Sequence, residues 1–492
     1  MKNIPVVKVG VVAVSRDCFP QSLSKSRQAA VLEQCRAQNV NAVGIDCIVE
    51  NEIDAAAALK ELQDKQCNAL CIFLGNFGPE TPETLIAQNF GGPVMCAAAA
   101  EESGSTLIDG RGDAYCGMLN FSYNMGLRNI KAYIPEYPVG TADEVAGMIG
   151  DFVPVARILL GIKSLKIFAF GPRPMDFLAC NAPIKPLYNL GVEIQENSEL
   201  DLFASYNAHA GDSRIAGLTA EMAAELGAAN KMPGILERLA QYELTLTDWM
   251  DKNMGMSSYA AFANKCWPAF QTEFKFVPCY VNSRFSSNLI PIACETDIFG
   301  ALSEYIIACA TEVPPTLLDI NNSVPADLYK EGIAGKFDYS AKDVFMAFHC
   351  GNTPICHMTE PQMKHQLIMK RCLEPDSEPD ITRGTLEGDI KPGEITFFRL
   401  QTSADCQLKS YVAEGEILPV RTGSFGAIGI FAIPEMGRFY RHVLVEKQYP
   451  HHGGVAFGKA GKAIYSALKL LGIEDIAYNQ PKSLPYPAEN PF

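Results

Sequence analysis

Across the first 160 residues, short apolar, β-rich runs alternate with stretches of helical periodicity, and this alternation restricts the chain more than any other feature. The runs are VKVGVVAVS, NAVGIDCIV, ALCIFLG and PVMCAAA, with helical patterns over 22–38 and 54–65 between them and a long one over 142–160. Strands joined by helical crossovers pair in parallel, and near-continuous apolar runs mean burial on both faces. The rhythm restarts at SLKIFAFGPRP, which opens a second unit containing GVEIQ, a helical stretch over 216–265, FVPCYVN, a helix after Glu295, TLLDINN and DVFMAFHCG. From about residue 353 the texture changes. Residues 375–393 are rich in Pro, Asp, Glu and Gly, and ITFFRLQ, QLKSYVAEGEIL, FGAIGIFAIP and RHVLVEK follow with turn residues between them, before a last helix over 459–471. The expected fold is α/β: two Rossmann-like α/β domains, 1–163 and 164–352, followed by a C-terminal antiparallel β-barrel domain, 353–492.

Charge and cysteine usage narrow the partners. A net charge of −15, with no compensating Lys/Arg cluster, argues against nucleic acid and anionic lipid surfaces. The apolar N-terminus contains Lys8, lacks a small-residue cleavage site and reads as a buried first strand, and no stretch is expected to reach the length of a membrane span. Sixteen cysteines are scattered, often inside apolar strands, which suits reduced thiols and a cytoplasmic setting.

Three stretches place metal-ligand residues at a strand end or in a glycine-rich turn: IACETDIFGA with Glu295 and Asp297, PTLLDINN with Asp319, and PHHGG with His451 and His452. In open α/β sheets, ligands gather beyond the carboxyl ends of the strands. Two carboxylates and an imidazole suit Mn²⁺ or another divalent ion that keeps positions for water or substrate oxygens. Each residue also has a plainer reading. Glu295 serves equally as a carboxylate complementing a helix dipole, Asp319 before Asn-Asn as a turn former, and the histidines as exposed loop residues.

Taken together, ACETDIFGALSEYIIACATEVPPTLLDINN resembles the segment of the L-fucose isomerase/L-arabinose isomerase superfamily that carries its two metal-binding acids, and the twenty-four positions from Glu295 to Asp319 match the spacing of its fucose isomerase branch. PHHGGVAFGKAG resembles that branch's C-terminal metal motif, with His452 in the ligand position. VSRDCFPQSLSKSR corresponds to the stretch with a sugar-contacting arginine, here Arg16, donated in that family by a neighbouring subunit. FGPRPMDF and CWPAF, with Trp267, look like middle-domain features, and FHCGN, with His349 and Asn352, like a strand end beside the site. The chain departs from the pattern in being shorter, in carrying His451 where the family commonly has Asn, and in carrying Lys459 where it has His.

The resemblance implies a metal-dependent aldose–ketose isomerase, with Mn²⁺ (or Mg²⁺ or Co²⁺) held by Glu295, Asp319 and His452. The two acids would move a proton across a cis-enediol, and Arg16, His349, Asn352, His451, Trp267 and Lys459 would face the sugar. A homohexamer and an L-fucose- or D-arabinose-like substrate are expected. An anionic hexose such as sulfoquinovose, paired by Arg16 and Lys459, is the alternative, and a non-catalytic sugar-binding protein is a reading of another class. His349 is either a fourth ligand or a partner for a sugar hydroxyl. A zinc site of His349, Cys350, Cys356 and His357 lacks knuckle spacing, the RGD at Arg111–Asp113 reads as a loop, and GSFGAIG lacks the context of a dinucleotide fingerprint.

Overall fold

The computed structural model describes residues 2–108, 110–369, 381–487 and 489–490, so part of the Pro- and acid-rich stretch lies outside the described residues. Two compact units emerge, one comprising 5–160 and 466–472, the other 1–4, 161–465 and 473–492.

The first unit carries the expected parallel sheet. Strands β1 (Val9–Val14), β2 (Ala42–Gly44), β3 (Ala69–Leu74), β4 (Val94–Ala99) and β5 (Val139–Gly140) lie in the order β2-β1-β3-β4-β5, all parallel. Every residue of β1, β3 and β4 is buried, as continuous apolar runs require in a sheet covered on both faces. Helix Ala142–Ile162 differs from expectation: it is long and apolar enough to cross a membrane by length and composition. Its apolarity has a local cause, because Val145, Ile149, Phe152 and Ala156 form a buried stripe and Phe152 stacks on Tyr133 at 5.6 Å.

In the second unit, β6 (Leu165–Gly171), β7 (Glu193–Ser198), β8 (Tyr259–Ala263) and β9 (Ile292–Ala293) form a parallel sheet in the order β7-β6-β8-β9. Beside it stands a nine-stranded sheet of β10 (Thr316–Ser323), β11 (Val344–His349), β12 (Met358–His365), β13 (Arg383–Ile390), β14 (Gly393–Thr402), β15 (Leu408–Leu418), β16 (Ala427–Ala432), β17 (His452–Phe457) and β18 (Asp475–Tyr478). Its order is β12-β13-β16-β11-β10-β17-β14-β15-β18, with a further β15–β16 pairing.

This sheet corrects several expectations. It is mixed rather than antiparallel, because β13–β16 and β15–β18 run parallel. TLLDINN and DVFMAFHCG, assigned by rhythm to the second parallel unit, are β10 and β11 of the mixed sheet. An apolar run declares a strand without declaring its partner. FVPCYVN opens helix Cys279–Ser287, and RHVLVEK lies in a helical segment with Val443 and Leu444 buried, so tertiary packing overrides β propensity there. The stretch over 216–265 divides into helices Ile215–Leu226 and Leu236–Asn253 and then β8. Each of the fifteen described cysteines is free.

The far end of β17 is held by His357, whose ring stacks on Phe457 at 3.6 Å and whose Nε2 lies 3.0 Å from the Pro314 carbonyl oxygen. Burial pushes this imidazole down from its ordinary 6.5 to about 4. The neutral ring's contribution is therefore intact above the unfolded value and is lost as pH falls from 6.5 through the folded value. His357→Gln is expected to flatten the acid limb of stability between these limits by roughly 1–2 kcal/mol. Denaturant melts from pH 7 to pH 4 check this; an unchanged slope would contradict it.

Candidate metal centre

Strand register does most of the assembly. β10 and β17 are antiparallel with Asp319 directly opposite His452, and on the other side Asp319 faces Phe348 of β11, the neighbour of His349. Three residues widely separated in sequence thus reach one end of one sheet. Glu295 arrives from the parallel sheet, in the turn after β9, where it and Thr296 both adopt left-handed backbone with φ of 55° and 57°. Such conformations cost of order 1 kcal/mol each in non-glycine residues and persist only where the surroundings enforce them. The turn is pinned by Thr296 N donating to Asn264 O at 2.7 Å and Thr296 Oγ1 donating to Phe170 O at 3.2 Å.

The four side chains converge. His452 Nε2 lies 3.5 Å from Glu295 Oε2 and 3.3 Å from Asp319 Oδ1, while His349 Nε2 lies 3.6 Å from Glu295 Oε2. Glu295 Oε2 and Asp319 Oδ1 are both buried without a hydrogen-bond partner. Buried carboxylate oxygens left unsatisfied are costly, and two of them facing one imidazole nitrogen match a divalent cation in charge and in donor type. Adjacent ligands of an octahedral ion at about 2.1 Å sit about 3 Å apart, close to the separations found here. His452 thus stands between two donor groups that could each hold an ion, Asp319 with His451 and His452 itself, and Glu295 with His349 and Cys294.

The two imidazoles differ in the nitrogen they offer. His452 Nδ1 lies 2.8 Å from Asp297 Oδ2, so the Nδ1 proton is spoken for and Nε2 is the nitrogen that faces the acids. The Cys350 backbone N–H donates to His349 Nδ1 at 2.9 Å, which places the proton of a neutral His349 on Nε2, toward Glu295.

Asp297 sits at the centre of this support. It caps helix Ile298–Thr311 by accepting from Gly300 N at 2.9 Å and is clasped by Arg399, with Nη1 at 2.5 Å from Oδ2 and Nη2 at 2.9 Å from Oδ1; neither side chain is more than 1% exposed. Burial alone would raise the Asp297 carboxyl, but Arg399 and His452 outweigh it and hold it well below the usual range. Burial likewise opposes charge on Asp319, and the bond and charges of His452, His349 and His451 bring it below its ordinary value. For His452, burial is overcome by the bond to Asp297 and the nearby Asp319 carboxylate, which raise the ring well above the usual imidazole range. Glu304, on the same helix as Asp297, is raised to about 8 by burial and by the Asp297 charge.

Of the remaining expected residues, His451 Nε2 lies 3.7 Å from Asp319 Oδ1. Trp267 meets Phe177 edge to face at 6.2 Å, and Phe177 lies 5.5 Å and 6.0 Å from the His451 and His452 rings, forming an aromatic wall over them. Asn352 is buried with Oδ1 unsatisfied. Lys459 is not brought to the cluster: its ammonium pairs with Glu394 at 2.9 Å on the open surface. Arg16 belongs to the first unit, beyond the carboxyl end of β1, with its guanidinium 3.7 Å from Glu80 and over the Phe77 ring. The supporting roles of Asp297, Arg399 and Phe177 were not anticipated. Arg399 did leave a signal, since a charged residue inside the apolar run ITFFRLQ demands a buried partner.

Residues 10–163 match the model of the fucose/sulfoquinovose isomerase N-terminal domain, and 347–478 match that of the L-fucose isomerase C-terminal domain. A sulfoquinovose isomerase of Clostridium sp. (strain MSTE9) is 25% identical over 292 residues, 57% of this chain and 58% of that one. Sulfoquinovose isomerases of Alkalicoccus urumqiensis and Priestia aryabhattai are 23% identical over 340 residues and 24% identical over 337, covering 70% and 67% of their lengths. The match thus spans little more than half the length of the Clostridium relative.

Ligation of a metal by His452 would require loss of its proton, so divalent-ion affinity is expected to rise with pH, with proton release on binding. Asp297→Asn is expected to weaken that affinity by about 10–100-fold. Calorimetry in two buffers of different ionisation enthalpy checks both; binding without proton release contradicts the assignment of His452. Arg399→Met leaves Asp297 buried and unpaired and is expected to cost about 3–5 kcal/mol of stability by denaturant melts.

Proposed function

Because this chain belongs to the fucose isomerase-like family, we propose that it is an aldose–ketose isomerase whose substrate is an anionic hexose, sulfoquinovose, converted to the corresponding 2-ketose through a cis-enediol. The observation that carries the reaction class is the pair of unsatisfied carboxylate oxygens, Glu295 Oε2 and Asp319 Oδ1, facing His452 Nε2. The substrate rests on the relatives, which are named sulfoquinovose isomerases. They favour the anionic hexose over the L-fucose- or D-arabinose-like sugar first expected. That neutral sugar stays as a second reading because the C-terminal match is to L-fucose isomerase.

Glu295, Asp319 and His452 would hold Mn²⁺, with Mg²⁺ or Co²⁺ as other occupants, and the ion would supply Lewis-acid stabilisation of negative charge at the reacting end of the sugar. The chain's own groups do the rest. One acid of the Glu295/Asp319 pair would remove the proton at C2 and return it at C1, while the O2 hydroxyl proton passes to O1 through the other acid, transfers that need only hydrogen-bond reach. Asp297 fixes the His452 ring. His349, with its proton on Nε2, donates to Glu295 or to a sugar hydroxyl, and Asn352 and His451 supply further polar contacts. Phe177 and Trp267 shield the pair from bulk water. Arg16 reaches the sugar from a neighbouring subunit of a homohexamer, in a cytoplasmic setting suited to free thiols.

Glu295→Gln and Asp319→Asn are each expected to lower kcat about a thousandfold while leaving circular dichroism and melting intact. Chelation should abolish turnover, and Mn²⁺ should restore it. A panel of sulfoquinovose, L-fucose, D-arabinose and L-arabinose tests the substrate, and full activity in metal-free protein would overturn the mechanism.

A further inference from the structure

In the sheet order β7-β6-β8-β9, the chain leaves β6 toward β7 on one side and leaves β8 toward β9 on the other, so a crevice opens beyond the carboxyl ends of β6 and β8. A cavity of 390 Å³ lies at these strand ends, with Arg173, Cys180, Asn181, Glu196 and Thr296 in its lining. It shares a wall with the metal centre: Cys180 Sγ is 3.7 Å from His452 Nδ1, and Thr296 sits between Glu295 and Asp297 in the chain.

Arg173 is the unusual group here. The residue is half-buried, its Nε is buried without a hydrogen-bond partner, and its guanidinium pairs with no carboxylate among the described residues. Glu196, exposed at the rim, is no exception. The loop is nevertheless anchored. Lys265, following β8, donates to the Pro172 carbonyl at 2.9 Å and pairs with Glu199 at 2.9 Å, fixing the backbone just before Arg173 while committing its own charge. Lys459, also considered for an anionic sugar, is engaged with Glu394. A guanidinium with unused donors, in the lining of a cavity beside the metal centre, matches the chemistry of a tetrahedral oxyanion.

We propose that Arg173 anchors a tetrahedral oxyanion in this cavity and that, on the sulfosugar reading above, on which this rests, the oxyanion is the substrate's own sulfonate. Arg173 thereby sets the preference for an anionic over a neutral hexose.

The test uses the metal-loaded enzyme and its Arg173→Gln and Arg173→Lys variants, assayed on sulfoquinovose and on 6-deoxyglucose, with inorganic sulfate as inhibitor. For Arg173→Gln, the ratio of kcat/KM for sulfoquinovose over 6-deoxyglucose is expected to fall at least about tenfold, carried by KM, with partial recovery in Arg173→Lys. Sulfate should compete with sulfoquinovose in the wild type and lose potency in Arg173→Gln. An unchanged ratio in an enzyme that turns over sulfoquinovose overturns the role of Arg173 alone. Sulfate inhibition that is not competitive places the anion site outside the substrate pocket and overturns it too. Wild-type enzyme that isomerises only neutral sugars overturns the sulfosugar reading itself, and the anchor with it.

Discussion

Arg399 has no exposed surface, yet it carries a permanent charge, and the site is organised around the answer to that problem. Its fork closes on Asp297, which in turn caps the helix Ile298–Thr311 and orients His452. A buried ion pair of this kind gains little stability over apolar packing, and its worth lies in fixing one arrangement among many. Here the arrangement fixed is the ring plane of an imidazole and the nitrogen it offers. One carboxylate therefore links a helix, a strand of the mixed sheet and a histidine, and loss of any of the three disturbs the others.

The parallel sheet and the mixed sheet supply different things. The turn after β9 delivers Glu295 with two consecutive left-handed residues, a strained delivery that the Asn264 and Phe170 carbonyls enforce. The mixed sheet delivers Asp319, His349 and His452 by register alone, without strain at those positions. A one-residue slip between β10 and β17 would turn the pairing of Asp319 with His452 into separation on opposite faces. Placement of the cluster is therefore a property of the hydrogen-bonded ladder as much as of the residues it carries.

This division explains what the sequence revealed. The first parallel sheet was legible because its apolar runs and crossovers are local signals. Glu295, Asp319 and His452 stood out because each lies in a short stretch of recognisable chemistry. The partnership of β10 and β11 with β16 and β17 was not legible, since an apolar strand reads the same in either kind of sheet. Nor was the Asp297–Arg399 pair, whose members are 102 positions apart and share no local pattern. Lys459 lies apart from the cluster, on the open surface with Glu394, although its motif includes His452, since adjacency in sequence does not fix proximity.

The glycines beside the two histidines have a consequence for how such a protein can diverge. A methyl group at Gly453 would lie 2.0 Å from the Phe397 ring, and one at Gly454 would lie 2.8 Å from Ile307. The floor beneath the imidazoles is thus sealed against enlargement from either core. Any lineage that changes what this site holds must remodel the walls instead, in the connections leaving β6 and β8, while the foundation stays as it is.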